Sequence, residues 1–251
     1  MKKETTVYEG SFAFKTDIGK VRENNEDQAR VIVNDKGDVF IAVADGMGGA
    51  NKGDLASKMA LKILREEFIQ KKHFVAKPRN KIWLTLAIKK ANKAIFDRSQ
   101  EDPSFQGMGT TLTCCLIIGD TLYLANLGDS RTYLDDGKEL KQISEDETYA
   151  AYLVKTNQIT PEEAKSHPDR HVLMNALGIY PSLSLQIAIL PYAGEKVLCC
   201  TDGLYNQVSD EAIHAIISTD DRPDQKVNTL IGTANAAGGT DNCGIAYWEC
   251  I

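Results

Sequence analysis

No stretch of this 251-residue chain approaches the 18 uninterrupted apolar residues of a membrane span, and the polar start Met1-Lys2-Lys3-Glu4-Thr5-Thr6 leads into no long apolar core. No membrane partner is expected, and the cytoplasm is the expected compartment. Excess positive charge is also missing. Twenty-nine Lys+Arg against 35 Asp+Glu leave a net charge of −6, which argues against nucleic acid or an anionic membrane as the main partner, since both need a basic face. Histidine is scarce: His73, His167, His171 and His214 are the only four, and none falls in a turn of metal-ligand type. Pro168 separates His167 from His171 and H-E-x-x-H is absent, so both are assigned to a flap segment at about 144–182; zinc is disfavoured. The six cysteines form no C-x-x-C pair and sit mostly in apolar runs, as small buried thiols do. G-x-x-x-x-G-K-[ST] is absent, which disfavours nucleotide binding. No repeat, low-complexity tract or Pro/Gly/Ser linker divides the chain, so a single domain over 1–251 is expected, and a monomer.

What is present is a hydrophobic fraction of 43%, ample for a sizeable core, arranged in short runs bounded by turn residues. Strands are expected at Ser11 to Thr16, Gln28 to Val33, Val39 to Ala44, Thr111 to Ile118, Thr121 to Leu127, Arg131 to Leu134, Leu183 to Ile189, Lys196 to Cys200 and Gly244 to Glu249. Turns such as Asp35-Lys36-Gly37-Asp38 and Asp136-Gly137 suit hairpins, so neighbouring strands should run antiparallel. Helical spacing marks Asp54 to Phe68 and Lys81 to Phe96, a helix capped by Ser209, and a helix with Pro223 in its first turn. The expected class is α+β: a four-layer α-β-β-α sandwich, two antiparallel sheets each covered by a helix pair. Between Ile143 and Pro181 the pattern weakens, apart from the capping box Thr160-Pro161-Glu162-Glu163, and about 144–182 is expected to form a flap over one edge of the core. Glu145-Asp146-Glu147 is expected to be a solvated face.

Three aspartates stand where an apolar run meets a glycine-bearing turn: Asp45 in Val43-Ala44-Asp45-Gly46-Met47-Gly48-Gly49, Asp202 before Gly203, and Asp241 after Gly238-Gly239-Thr240. A carboxylate in that setting is poorly solvated, and several together repel one another unless hard cations lie between them. Singly, each is as well explained as a turn residue. Jointly they belong to an ordered series with Arg22-Glu23-Asn24-Asn25-Glu26-Asp27, Gly107-Met108-Gly109-Thr110-Thr111 and Gly128-Asp129-Ser130-Arg131.

From about Phe12 to Trp248 that series closely resembles the metal-dependent type 2C serine/threonine phosphatases, in particular their compact bacterial branch with Asp-Gly-Met-Gly-Gly. The resemblance implies a β-sandwich flanked by helices and hydrolysis of phosphoserine and phosphothreonine in proteins with two Mn²⁺ or Mg²⁺ ions, opposite a serine/threonine kinase. By the same resemblance Asp45 bridges both metals and the Gly46 carbonyl reaches one; Asp202 and Asp241 complete the shell of the other. Glu26 and Asp27 match acids that hold metal-bound waters, Arg22 matches the phosphate clamp, and Asp129 matches the ligand of a weaker third metal in some bacterial members. Arg22 could alternatively be an exposed salt-bridge partner of Glu23 or Glu26, and Asp129 a plain turn residue. Two cations roughly 3.5–4 Å apart polarise a water and neutralise a phosphoryl group together, so no protein nucleophile is needed. The chain departs from many animal members at Met47, where they carry a histidine, leaving the general acid unassigned. Glu145-Asp146-Glu147-Thr148 replaces a further common histidine, and Gly244 stands where threonine is usual. A cysteine phosphatase needs arginine six residues after its nucleophile, and none of the cysteines has one there. The competing expectation is a non-catalytic module that binds a phosphoprotein on the same fold.

Overall fold

The computed structural model describes residues 7–48, 52–71, 73–74 and 77–251; Met1–Thr6 and Gly49 of the glycine turn lie outside them. One sheet has the order β1 (Gly10–Asp17), β11 (Cys243–Cys250), β10 (Lys196–Cys200), β7 (Arg131–Asp135), β8 (Leu140–Gln142). The other runs β2 (Asp27–Val33), β3 (Val39–Met47), β5 (Leu112–Ile118), β6 (Thr121–Leu127), β9 (Ile187–Pro191), and the short β4 (Gly109–Thr110) pairs the end of β3. Every pairing between these strands is antiparallel.

The near-continuous apolar run of β3 has a simple cause: both faces are covered. Val39, Ile41 and Val43 point into the core between the sheets, with Ile117, Leu124, Val197 and Trp248. Phe40, Ala42 and Ala44 point the other way, to the helices α1 (Lys52–Gln70) and α2 (Lys77–Glu101), where they meet Leu64, Phe68, Leu84 and Ile88. A third core lies outside the first sheet, where Ile213 and Ile217 of α6 (Asp210–Ile217) and Val227 and Leu230 of α7 (Pro223–Ala236) pack on Leu198, Ile245 and Tyr247. Three cores between four layers give the α-β-β-α sandwich. Each fully buried Leu, Ile or Phe contributes about 1.5–3 kcal/mol.

The helix starts follow their local chemistry. Ser209 Oγ accepts from the Ala212 N–H, and Pro223 occupies the first turn of α7. Elsewhere the structure shifts or adds elements. The expected strand Leu183 to Ile189 is observed at Ile187–Pro191, because Leu183 and Leu185 pack irregularly against the helix-side core before pairing with β6 begins. The short strands β4 and β8 and the helices α3 (Tyr149–Lys155) and α5 (Asp202–Tyr205) carried too few residues to show a period.

Residues 144–182 contain α3 and α4 (Pro161–Lys165), and the capping box forms as expected: Thr160 Oγ1 accepts from the Glu163 N–H and Glu163 accepts from the Thr160 N–H. The end of this segment is fastened to the core. Thr110 and Leu177 exchange backbone hydrogen bonds, Asn92 Oδ1 accepts from the Gly178 N–H at 2.8 Å, and Asn92 Nδ2 donates to the Tyr180 carbonyl at 2.9 Å. Gly178 is at φ +85°, and a Cβ there would lie 2.2 Å from Ile95 Cγ2. The solvated face expected at Glu145-Asp146-Glu147 is corrected in two places: Arg131 binds both carboxylate oxygens of Asp146, and Glu147 Oε2 is buried. Asn92→Ala removes both side-chain bonds and orphans a buried N–H, so the unfolding free energy should fall by about 1–3 kcal/mol, measured by urea denaturation. A change below roughly 0.5 kcal/mol would show that Asn92 does not fasten the segment.

Candidate active site

The antiparallel register of β2 and β3 sets Asp27 directly opposite Asp45. Like charges in directly opposed positions destabilise a sheet pair; here Asp27 is buried and Asp45 half-buried. In the other sheet, β10 pairs with β11, so the turn opening α5 with Asp202 and the loop ending at Asp241 lie side by side. Glycine permits the approach: a Cβ on Gly203 would stand 1.8 Å from the Asn242 carbonyl oxygen. Gly46 is likewise pressed against Gly53, where α1 begins, with 2.2 Å between its would-be Cβ and the Gly53 backbone.

These elements meet at one cavity of about 980 Å³, whose walls carry Arg22, Glu26, Asp45, Gly46, Asp129, Asp202 and Asp241. Asp27 lies behind Asp45, fixed by Thr201 Oγ1, which donates to its Oδ2 at 2.6 Å while accepting from the Gly244 N–H. Gly244 therefore occupies a filled corner: a Cβ there would be 3.2 Å from Asp27 Oδ2. Thr111 Oγ1 accepts from the Asp45 N–H, and Thr110 Oγ1 donates to the Asp45 carbonyl. Asn242 ties the Arg22 loop down, donating to the carbonyls of Ile18 and Asn24 and accepting from the Glu26 N–H. Arg22 donates to Asp241 Oδ2 at 2.8 Å, so its partner is Asp241 rather than Glu23 or Glu26.

Burial pushes the cluster's carboxyls up, and their mutual repulsion adds to it. Asp45 is raised well above the ordinary range by burial and then by Asp27, Asp202, Asp129 and Asp241. Burial also raises Asp27, against the Thr201 hydrogen bond, which lowers it. Asp202 rises to about 7 through burial, Asp129 and Asp241, and Asp129 to about 6 through burial and Asp146. Glu26 is raised by burial, with Arg22 and the backbone N–H groups of Gly53 and Asp54 pulling the other way. Asp27 Oδ1 and Asp202 Oδ1 are buried without a hydrogen-bond donor. A crowded set of oxygen donors, two of them orphaned, fits hard divalent cations.

His171 belongs to the 144–182 segment, as expected, and the structure brings its ring to Asp129 and Asp202, with one ligand atom from each residue lying within 4.8 Å of the others. No local signal announces this; it arises because backbone bonds from Tyr149 N–H to Val172 and from Met174 N–H to Glu147 lay residues 172–174 beside 147–149. Tyr205 was also missed. Its hydroxyl donates to the Asp129 carbonyl at 2.9 Å, and the Arg131 guanidinium covers its ring at 3.6 Å while binding Asp146.

The sequence pattern of the protein phosphatase 2C family matches residues 20–226. This chain belongs to the protein phosphatase 2C family. It is 34% identical over 237 residues to the serine/threonine phosphatase stp of Listeria monocytogenes, covering 94% of each chain. It is 38% identical over 245 residues to the serine/threonine protein phosphatase PstP of Mycobacterium tuberculosis, covering 96% of this chain and 45% of that protein. The structure of serine/threonine phosphatase Stp1 from Staphylococcus aureus superposes with a TM-score of 0.91 at 28% identity, over 100% of this chain and 99% of the other. The catalytic domain of PstP, in a complex with two manganese ions, superposes at 0.83 with 33% identity, over 96% and 98% of the two chains. The two-sheet architecture and the family are thus as the sequence implied. Among the described residues, no helix is long and apolar enough to cross a membrane.

The raised carboxyls fix the sign of a pH dependence. Folded Asp45, Asp27, Asp202 and Asp129 hold protons that the unfolded chain releases near pH 3.9, so metal-free protein loses stability as pH rises from about 4 through about 7. Thermal unfolding in EDTA should show a lower Tm at about pH 7.5 than at about pH 5.5, and Mn²⁺ should flatten that slope. A Tm that rises over this interval in EDTA would contradict the buried acidic cluster.

Proposed function

We propose that this chain hydrolyses phosphoserine and phosphothreonine in proteins, using divalent cations of the Mn²⁺ or Mg²⁺ class. The observation that carries the assignment is the convergence of Asp45, Asp129, Asp202 and Asp241 with Arg22 on one cavity, with Asp27 behind them. Asp45, the Gly46 carbonyl, Asp202 and Asp241 would hold two ions, and Glu26 and Asp27 would hold and orient waters. When bound, such cations neutralise phosphoryl charge and polarise the attacking water. Arg22, more than half exposed and, among the described residues, tethered to Asp241 alone, can turn its planar guanidinium onto two phosphate oxygens. Thr201 and Asn242 hold Asp27 and the Glu26 backbone in position, so little reorganisation is needed when the phosphoryl group arrives.

Asp129, His171 and Asp202 would form a further cation position. An imidazole nitrogen among carboxylates favours Mn²⁺ over Mg²⁺ there. Met47 offers no proton for the departing serine or threonine oxygen. A cytoplasmic signalling role opposite a serine/threonine kinase, by a monomer, follows from the phosphatase chemistry as part of the same proposal. No observation favours a non-catalytic binding module, since every acid and the arginine are in place.

Asp45→Asn should lower Mn²⁺-dependent hydrolysis of p-nitrophenyl phosphate and of a phosphothreonine peptide by at least about a hundredfold. Arg22→Ala should raise KM for the peptide by about tenfold with metal binding retained. Full activity of the first, or unchanged kinetics of the second, removes the respective role. For His171→Ala, the Mn²⁺ needed for half-maximal activity should rise by roughly tenfold, and calorimetric titration should lose one weak binding event. Identical titrations of variant and parent would exclude His171 as a ligand.

A further inference from the structure

The segment 170–175 has two sides. Arg170, His171, Val172 and Leu173 wall the acidic cavity, whereas Met174 and Asn175 wall a second cavity of about 590 Å³, set between α3 and the returning chain at 174–184. His171 and Met174 are three residues apart, so their backbones are separated by at most about 11 Å. A peptide with its phosphoryl group in the acidic cavity would bring a flanking residue to this second opening.

The second cavity has a defined chemistry. Tyr152, Met174 and Tyr180 stand at it 47%, 52% and 63% exposed, which for side chains of this size leaves apolar surface without a partner in the chain. Its acids are unevenly matched. Asp146 is held by Arg131 and Glu145 by Lys155, but Glu147 forms no ion pair among the described residues, and its Oε2 is buried without a donor. Burial holds the Glu147 carboxyl above the usual range. The walls are already fixed: Met174 N–H donates to the Glu147 carbonyl at 2.8 Å, Asn175 Nδ2 to the Ser184 carbonyl at 2.9 Å, and Asn92 Nδ2 to that of Tyr180. A ligand entering here would pay little for ordering the site.

We propose that this cavity is a side-chain subsite for a lysine or arginine of the substrate protein that flanks the phosphorylated serine or threonine. It rests on the phosphatase assignment of the neighbouring cavity and adds the substrate's flanking chemistry to it. A long basic side chain satisfies both features at once: its aliphatic stem packs on Met174 and the tyrosine rings, and its cation lies against ring faces in a wall that carries three acids, Glu145, Asp146 and Glu147, against one lysine, Lys155. An apolar side chain would leave the acids of this wall unanswered, and an acidic one would meet like charge.

The test uses the full chain with Mn²⁺ and phosphothreonine peptides in which one lysine is moved through each flanking position of an alanine background, with a matching glutamate series; kcat/KM is measured for each. Lysine should exceed alanine by about three- to tenfold at one flanking position, with glutamate below alanine there. In Glu147→Gln and in Tyr152→Ala the lysine-to-alanine ratio at that position should fall toward one; a ratio taken within one variant is insensitive to loss of folded material. A flat lysine series in an active enzyme, a preference for apolar side chains, or ratios unchanged in both variants would overturn the subsite alone. Failure to hydrolyse any phosphopeptide would overturn the phosphatase assignment and the subsite with it.

Discussion

Repulsion between Asp27 and Asp45, set opposite each other by the register of β2 and β3, is the constraint on which the rest of the molecule depends. Two unit charges about 4 Å apart repel by about 4 kcal/mol at an effective dielectric near 20, a large share of the 5–15 kcal/mol that keeps an ordinary protein folded. Asp202, Asp129 and Asp241 add to it. A fold tolerates such a cluster only when something answers the charge, and the chain's own answer is small: Arg22 on the rim, and Thr201 and backbone N–H groups behind. The cluster must therefore take up protons or cations. The chemistry of the family and the electrostatic need of the fold point to the same ligand.

The sandwich can hold the cluster because its two sheets contribute from opposite sides. Asp27 and Asp45 come from one sheet; Asp202 and Asp241 flank paired strands of the other. The core between the sheets, with Trp248 and Ile41 fully buried, sets their separation, and close-packed interiors resist small shifts. Asp129 is positioned by a different route. Tyr205, one helical turn beyond Asp202, bonds the Asp129 carbonyl and stacks under Arg131, which grips Asp146 at the root of the 144–182 segment. One aromatic side chain thus joins two acidic turns to the base of that segment.

The long-range period of the sequence made the architecture legible. Nine apolar runs anticipated most strands, and the two long helices and both caps followed from spacing and from Ser209 and Pro223. The acids were legible for another reason: each stands at the end of a run, where a carboxylate needs an explanation. What stayed hidden depends on contacts far apart in sequence. His171 has no neighbouring motif, and only the pairing of 172–174 with 147–149 carries it to Asp129. Asp146 looked like surface charge because its partner, Arg131, is fifteen residues away on another element. The β4 strand, two residues long, is below any period that a sequence can display.

The flap segment then has a division of labour that follows from its geometry. Its His171 edge adds a donor to the acidic centre, while three residues on Met174 faces a cavity with no acid of that centre in its wall. A backbone held by Thr110, by Asn92 and by hydrogen bonds to residues 147–149 resists a shift of one edge without the other. A side chain seated in the second cavity would therefore press on the same backbone that carries His171 beside Asp129 and Asp202. Binding energy gained away from the phosphoryl group can in this way be used to organise the reacting centre, which raises turnover rather than only tightening association.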